Sequence, residues 1–105
     1  VLPNKGNGTF GARVDYPAGA GAIEPAIGDV NGDGKLDVVV TNRDANTISV
    51  LLNQGGGVLA PKVDYPGGAY TQGLRLADLN GDGLLDIATA NANASTVSVL
   101  LNVCN

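Results

Sequence analysis

The stretch "DVNGDGKLD" covers Asp29–Asp37, and a near copy, "DLNGDGLLD", covers Asp78–Asp86. The copies lie 49 residues apart, and when the whole chain is shifted by 49 residues, 26 of the 56 overlaid pairs are identical without a gap. Self-similarity at a fixed period of this length indicates a repeat architecture. We therefore predict a single domain, residues 1–105, with repeat 1 at about 9–57 and repeat 2 at about 58–105.

The segments around these loops have the pattern of short β-strands. The chain has 16 Gly and 5 Pro, which indicates many turns, and its Val, Leu and Ile show no sustained helical period. Because Pro61 cannot donate to a ladder, the strand that contains it is expected at a sheet edge. The pattern predicts strands at Pro25–Asp29, Asp37–Asn42, Thr47–Asn53 and Val58–Pro66, and again at Leu74–Asp78, Asp86–Asn91 and Thr96–Asn102.

Four short antiparallel strands in each repeat of about 40 to 50 residues are typical of a β-propeller blade. We therefore expect an all-β fold of two four-stranded antiparallel β-propeller blades. Two blades are too few to close a propeller, so closure is expected to come from oligomerisation. The alternative is a two-repeat β-sandwich, which rarely has so regular a period.

Composition and charge narrow the range of partners. The net charge is −4, and no basic cluster is present, which argues against a nucleic-acid partner. No apolar run approaches transmembrane length, so no membrane association is expected. Cys104 is the only cysteine, which excludes an intrachain disulfide and leaves a free thiol or a bridge between chains. No signal peptide is visible, so the sequence is either mature or an excerpt of a longer one.

The oxygen-bearing side chains of the two loops recur at positions one, three, five and nine. Calcium binds six to eight oxygens, and alternate residues of a tightly wound loop point inward together. At position seven Lys35 and Leu84 would contribute their backbone carbonyls, and the last Asp would close the site with both carboxylate oxygens. The predicted ligands are Asp29, Asn31, Asp33, Lys35 and Asp37 in the first loop, and Asp78, Asn80, Asp82, Leu84 and Asp86 in the second.

The loops differ from an EF-hand in their second half. The EF-hand glutamate at position twelve is replaced by Val40 in the first copy and by Thr89 in the second, and the flanks have strand spacing. The alternative is a pair of Asx-rich hairpin turns without metal. Three converging carboxylates would repel one another without a cation, and magnesium tolerates such irregular cages poorly. We expect two Ca²⁺ per chain.

Three segments resemble FG-GAP repeats, also called VCBS-type repeats: "FGA" at Phe10–Ala12, "GDVNGDGKLDVVV" at Gly28–Val40, and "TISVLLN" at 47–53. That family builds the propeller heads of integrin α chains and many extracellular proteins, some of them lectins. The second repeat departs from the motif, with "LAP" at Leu59–Pro61. The resemblance implies structural calcium in the loop between the first and second strands of each blade, and an extracellular or secreted location.

The resemblance also implies that ligands bind at the end of the blades opposite the calcium loops. That end is formed by the segments 18–24, 42–46, 67–73 and 91–95. Tyr70 is the best candidate there for stacking on a ligand, and the alternative is that Tyr70 packs between blades.

An enzymatic function is not expected. The chain has no His, and no Ser, Thr or Cys has an evident base beside it. The first hypothesis is a calcium-stabilised extracellular β-propeller module for ligand binding or adhesion, with a protein or glycan as partner. The alternative is a carbohydrate-binding lectin of the propeller type. A further alternative is a structural or engineered repeat fragment that self-assembles.

The expected assembly is a head-to-tail homo-oligomer. The second repeat supplies three strands, whereas Thr9–Pro17 has the sequence of a fourth strand without a blade of its own. Unpaired strand edges pair with other copies. We predict that Thr9–Tyr16 of one chain completes the second blade of its neighbour, in a trimer of six blades or, next in preference, a tetramer.

Overall fold

The computed structural model describes residues 1–3, 5–6, 8–9 and 11–102, and Phe10 and Cys104 lie outside this part. Within it the chain is all β, and it contains no helix long and apolar enough to cross a membrane. The first sheet is antiparallel, in the order β1-β2-β3-β4, and the second is antiparallel, in the order β5-β6-β7. The strands are β1 (Ala22–Gly28), β2 (Asp37–Asn42), β3 (Thr47–Leu51), β4 (Val63–Pro66), β5 (Thr71–Ala77), β6 (Asp86–Asn91) and β7 (Thr96–Leu100).

Most strand positions agree with the sequence pattern, and the differences have local causes. Strands β2 and β6 have the predicted bounds. Strand β3 ends at Leu51 because the amide of Asn53 donates to Asp37 Oδ1 (2.8 Å). Strand β4 begins at Val63, later than predicted, since Pro61 cannot donate to the ladder, and it lies at the sheet edge as expected. Strands β1 and β5 begin three residues early, each at a register shift in its pairing.

The two sheets stack face to face around one small core. One face of the first sheet contributes Val39, Ile48 and Val50, and the second sheet contributes Leu74. Val39 and Ile48 are fully buried, and Leu74 is 2% exposed. Burial of each such side chain contributes about 1.5–3 kcal/mol. Strand β5 makes the contact, since it packs against both β1 and β2.

The segment Thr9–Pro17, which has the sequence of a fourth strand, folds differently in the single chain, and the pairing of Thr9–Tyr16 with a neighbour stays a prediction. No strand is assigned to the described residues of this segment. Instead, Gly11 N donates to Pro3 O (2.7 Å), and Val14 N donates to Val1 O (2.8 Å). A chain that cannot reach a distant edge satisfies its backbone groups locally. We call the described part of residues 1–17 the N-terminal hairpin.

The outer faces of the two sheets are covered to different extents. The N-terminal hairpin faces the outer side of the first sheet across an open cavity of about 410 Å³, which Val1, Val14, Val38 and Val40 help to line. On the outer side of the second sheet, Val97 is 71% exposed. Ile48, which is equivalent to Val97 in the first sheet, is fully buried against the second sheet.

Candidate metal centres

Each acidic loop brings three carboxylates together. In the first loop, between β1 and β2, Asp29, Asp33 and Asp37 each offer an oxygen, and these oxygens all lie within 4.8 Å of one another. The second loop, between β5 and β6, has the same arrangement within the same distance, formed by Asp78, Asp82 and Asp86. Convergent carboxylate oxygens of this kind are the ligands that hard divalent cations prefer.

The first Asp of each loop organises the turn. Asp29 accepts backbone hydrogen bonds from Gly32 N (2.8 Å) and Gly34 N (2.7 Å), and Asp78 accepts the equivalent bonds from Gly81 N (2.8 Å) and Gly83 N (2.8 Å). The bond from Gly34 is the main cause that lowers the pKa of Asp29, and the bond from Gly83 does the same for the pKa of Asp78. Both residues are therefore anionic at neutral pH and suited to bind a cation.

The last Asp of each loop is buried and held through both oxygens. Asp37 accepts from Val30 N (3.0 Å) at Oδ2 and from Asn53 N (2.8 Å) at Oδ1. Asp86 accepts from Leu79 N (2.9 Å) and Asn102 N (2.7 Å) in the same way. A carboxylate has about four lone-pair sites, so each oxygen keeps acceptor capacity for a cation. These bonds connect each loop to the strand that follows it.

The other predicted ligands lie in the same loops but are exposed or contribute backbone atoms. Asn31 and Asn80 are exposed. The amide of Lys35 donates to Asp33 Oδ1 (2.9 Å), and that of Leu84 donates to Asp82 Oδ1 (3.0 Å). These bonds fix the peptides at position seven. The roles of Asn31, Asn80 and the two carbonyls as calcium ligands remain predictions.

Asn53 and Asn102 hydrogen-bond the backbone of the acidic loops, a role that could not be assigned from the sequence alone. Asn53 Nδ2 donates to Leu36 O (3.0 Å), and Asn102 Nδ2 donates to Leu85 O (3.1 Å). Asn102 Nδ2 also donates to Val30 O, so one side chain joins the two loops. The sequence signal was the repeated "LLN", whose Asn ends the third strand segment of each repeat.

Tyr70 lies at the opposite end of the strands from the acidic loops and is held by the first sheet. Its amide donates to Asn46 Oδ1 (2.8 Å), its φ is 56°, and the guanidinium carbon of Arg43 lies 5.1 Å from its ring centroid. Arg43 also pairs with Asp44 (3.3 Å). The tyrosine is half-buried, so the aromatic ring joins the linking segment 67–73 to the turn 42–46 while part of it remains accessible.

Part of each linking segment serves the fold. Gly19 N donates to Oδ1 of the buried Asn42 (3.0 Å), and a Cβ at Gly19 would lie 2.5 Å from Asn42 Cγ. A Cβ at Gly68 would lie 2.1 Å from Cγ of the buried Asn91. Each Asn also donates from Nδ2 to a serine of the next strand, Asn42 to Ser49 (2.7 Å) and Asn91 to Ser98 (2.7 Å). Close packing therefore requires glycine at these two positions.

Comparisons with known proteins agree with the geometry of the loops. A protein-family model described as an FG-GAP-like repeat matches the chain over residues 1–40 and 29–89. These matches include both acidic loops. No curated protein and no solved structure matches the chain.

Proposed function

The chain belongs to the FG-GAP-like repeat family, and on that premise we propose that it is a calcium-stabilised, extracellular β-propeller module that binds a protein or glycan ligand without catalysis. The observation that carries the calcium assignment is the pair of equivalent carboxylate triads, each with its oxygens within 4.8 Å. The arrangement suits an ion that takes several oxygens in flexible geometry. The family membership supports the propeller architecture.

In this proposal the calcium ion is structural. Each site lies in the loop that connects two adjacent strands. A bound ion would therefore hold the end of β1 close to the start of β2, or the end of β5 close to the start of β6. Six of the ten acidic residues belong to the triads, and two divalent ions would balance the formal charge of −4. Because an ion that binds only the folded state stabilises it by mass action, the gain in stability rises with calcium concentration.

Calcium binding can be tested by titration calorimetry and thermal melting with calcium or with excess chelator. We expect two ions per chain and a melting temperature that rises with calcium. Asp33→Ala and Asp82→Ala should each remove one site, because each removes one carboxylate of its triad. The matched control is Asp44→Ala, an exposed acid at the other end of the sheet. An unchanged melting temperature together with no bound metal in elemental analysis would contradict the proposal.

The proposed ligand surface lies at the Tyr70 end. The cluster of Tyr70 with Arg43 and Asp44 offers an aromatic ring beside polar planar groups, which suits a sugar as well as a peptide. This cluster is the observation that favours a propeller-type lectin as the second candidate function. Partner identity in both cases depends on the segments 18–24, 42–46, 67–73 and 91–95.

A glycan array separates the two candidates. Binding of a related group of sugars, lost in Tyr70→Ala and retained in Lys35→Ala, would support the lectin. Lys35 is a suitable control because it lies in a calcium loop and its side chain is exposed. Sugar binding that Lys35→Ala weakens more than Tyr70→Ala would contradict the assignment of the ligand surface. An array without hits directs the search to protein ligands.

A further inference from the structure

Strand β7 has a hydrogen-bonded neighbour on one side only within the described residues, since the second sheet has the order β5-β6-β7. The equivalent strand of the first sheet, β3, has neighbours on both sides. There Ser49 pairs with Asp64, and Val50 pairs with Val63. An edge of this kind is a template for another strand.

The side-chain hydrogen bonds of β3 and β7 differ as well. In the first sheet Ser49 Oγ accepts from Asn42 Nδ2 (2.7 Å) and donates to Asp64 Oδ1 (2.6 Å). In the second sheet Ser98 Oγ accepts from Asn91 Nδ2 at the same distance of 2.7 Å. Across the described ranges Ser98 has no carboxylate to receive its hydroxyl proton, although Asp64 receives that of Ser49. Among the residues that the structure describes, the second sheet therefore has no counterpart of Asp64.

The N-terminal hairpin carries a close copy of β4. Its "VDYP" at 14–17 is identical to the sequence of β4. Val14 exchanges backbone hydrogen bonds with Val1 (2.8 and 3.0 Å), just as Val63 pairs with Val50. Asp15 forms an ion pair with Arg13 (3.4 Å), both side chains being 75% exposed, and the equivalent pair in the first sheet joins Lys62 to Asp64.

The hairpin and β7 of one chain lie on different sides of the first sheet. The hairpin lines a cavity with Val38 and Val40, whereas the second sheet packs against the alternate residues Val39 and Val50 on the other face. Successive side chains of a strand point to opposite faces. In this arrangement the hairpin of a chain does not reach β7 of the same chain.

We propose that a second copy of this chain supplies its residues 14–17 as the fourth strand of the second sheet. The register follows from the pairing of β3 with β4: Thr96 pairs with Pro17, Val97 with Tyr16, Ser98 with Asp15 and Val99 with Val14. In the last pair Val99 replaces Val1, which exchanges hydrogen bonds with Val14 in the single chain. Asp15 of the second copy then accepts the Ser98 hydroxyl. The paired strands include no predicted calcium ligand and no residue of the proposed ligand surface, so the proposal does not rest on the proposed function.

Stacking of the sheets supports the same contact. Inside the chain one face of the first sheet, with Val39 and Val50, packs on the second sheet. The equivalent face of the second sheet carries Ala88 and Val99, and Val99 is 51% exposed. A second copy that pairs its hairpin with β7 covers this face with its own first sheet. The contact is head-to-tail, so a closed ring satisfies every edge, and three chains give six sheets.

The first test is light scattering of the chain in calcium. We expect a uniform particle of about three times the chain mass of 10.5 kDa, or about four times for the next ring size. A monomer would overturn the proposal.

Val97→Lys places a charge on the exposed outer face and should reduce the particle to a monomer. Val58→Lys, at an exposed valine of a turn, should leave it intact, and loss of assembly in both variants alike would count against the proposed surface.

The second test fixes the register by an engineered disulfide. Chains with Cys104→Ser, Ser98→Cys and Asp15→Cys should form covalent dimers and trimers on non-reducing gels after mild oxidation, because directly opposed strand residues lie within disulfide distance. The control replaces Asp15→Cys with Arg13→Cys, which lies two residues out of register. Efficient cross-linking of the first pair alone supports the exchange. Equal yields from both pairs, or none from the first, would overturn it.

Discussion

At the residue scale, Thr89 has the buried side-chain hydroxyl that lacks a hydrogen-bond partner within the described residues. It is 2% exposed on β6, and the equivalent position of the first repeat is Val40. Replacing an unsatisfied buried hydroxyl with a methyl group removes a desolvation penalty of about 1–3 kcal/mol. We expect Thr89→Val to raise the free energy of unfolding by about 1 kcal/mol.

Urea denaturation with a matched substitution checks this expectation. Thr41 is also fully buried, but its Oγ1 donates to Gln72 O (3.3 Å). Thr41→Val should therefore lower the free energy of unfolding by about 1–3 kcal/mol, because it leaves that carbonyl without its donor. A loss of stability in Thr89→Val would show that the hydroxyl has a partner.

Asp64 makes stability depend on pH. The hydrogen bond from Lys62 and, next, the hydrogen bond from Ser49 lower the pKa of Asp64. A carboxylate whose folded pKa lies below its unfolded value of about 3.9 stabilises the protein above that pH, and the contribution is lost as the pH falls through the folded pKa. Melting temperatures from pH 7 to pH 2 should thus fall more steeply for the wild type than for Asp64→Asn.

Chelator should be present in that experiment, so that calcium release does not contribute to the acid transition. Asp44→Asn serves as a control for removal of one exposed carboxylate. If the wild type and Asp64→Asn give parallel profiles below pH 4, the ion pair and hydrogen bond contribute nothing measurable to folding.

At the element scale, the segment that links the sheets depends on Gly68. A Cβ at this position would lie 2.1 Å from Cγ of Asn91, whereas one at Gly73 would lie 3.5 Å from Ala90 Cβ, an ordinary contact. Asn91 cannot move freely, since it hydrogen-bonds Thr71 (3.1 Å) and Ser98 (2.7 Å). We expect Gly68→Ala to cost about 1–3 kcal/mol of stability.

Gly73→Ala is the matched control for Gly68→Ala, since both substitutions add one methyl group to the same linking segment. Its effect on the free energy of unfolding should stay within about 1 kcal/mol. Equal losses in the two variants, measured by urea denaturation, would mean that Asn91 is not the reason for the glycine.

At the scale of the whole molecule, Asn102 joins the two acidic loops. Its side chain bonds Val30 O of the first loop and Leu85 O of the second, whereas Asn53 Nδ2 bonds Leu36 O of the first loop. Calcium titration should therefore show weaker binding at both sites in Asn102→Ala and at one site in Asn53→Ala. Because outer contacts of this kind orient ligands, we expect a loss of roughly 10-fold or more in affinity. Weakening of a single site in Asn102→Ala would refute the coupling.

The sequence by itself determined the repeat, the strand pattern and the acidic triads. These depend on local spacing: alternate residues share a face, and a nine-residue loop returns its first and last carboxylates to one place. The bounds of β2 and β6 and both clusters of Asp agree with that prediction. Family membership follows from the same motifs.

Only the tertiary structure decided which distant groups meet. The bond from Asn102 to Val30 joins residues 72 positions apart, the contact of Arg43 with Tyr70 joins the turn after β2 to the segment that links the sheets, and the N-terminal hairpin lies on an outer face. No periodic pattern encodes such contacts, because they depend on how the sheets stack and which faces remain uncovered.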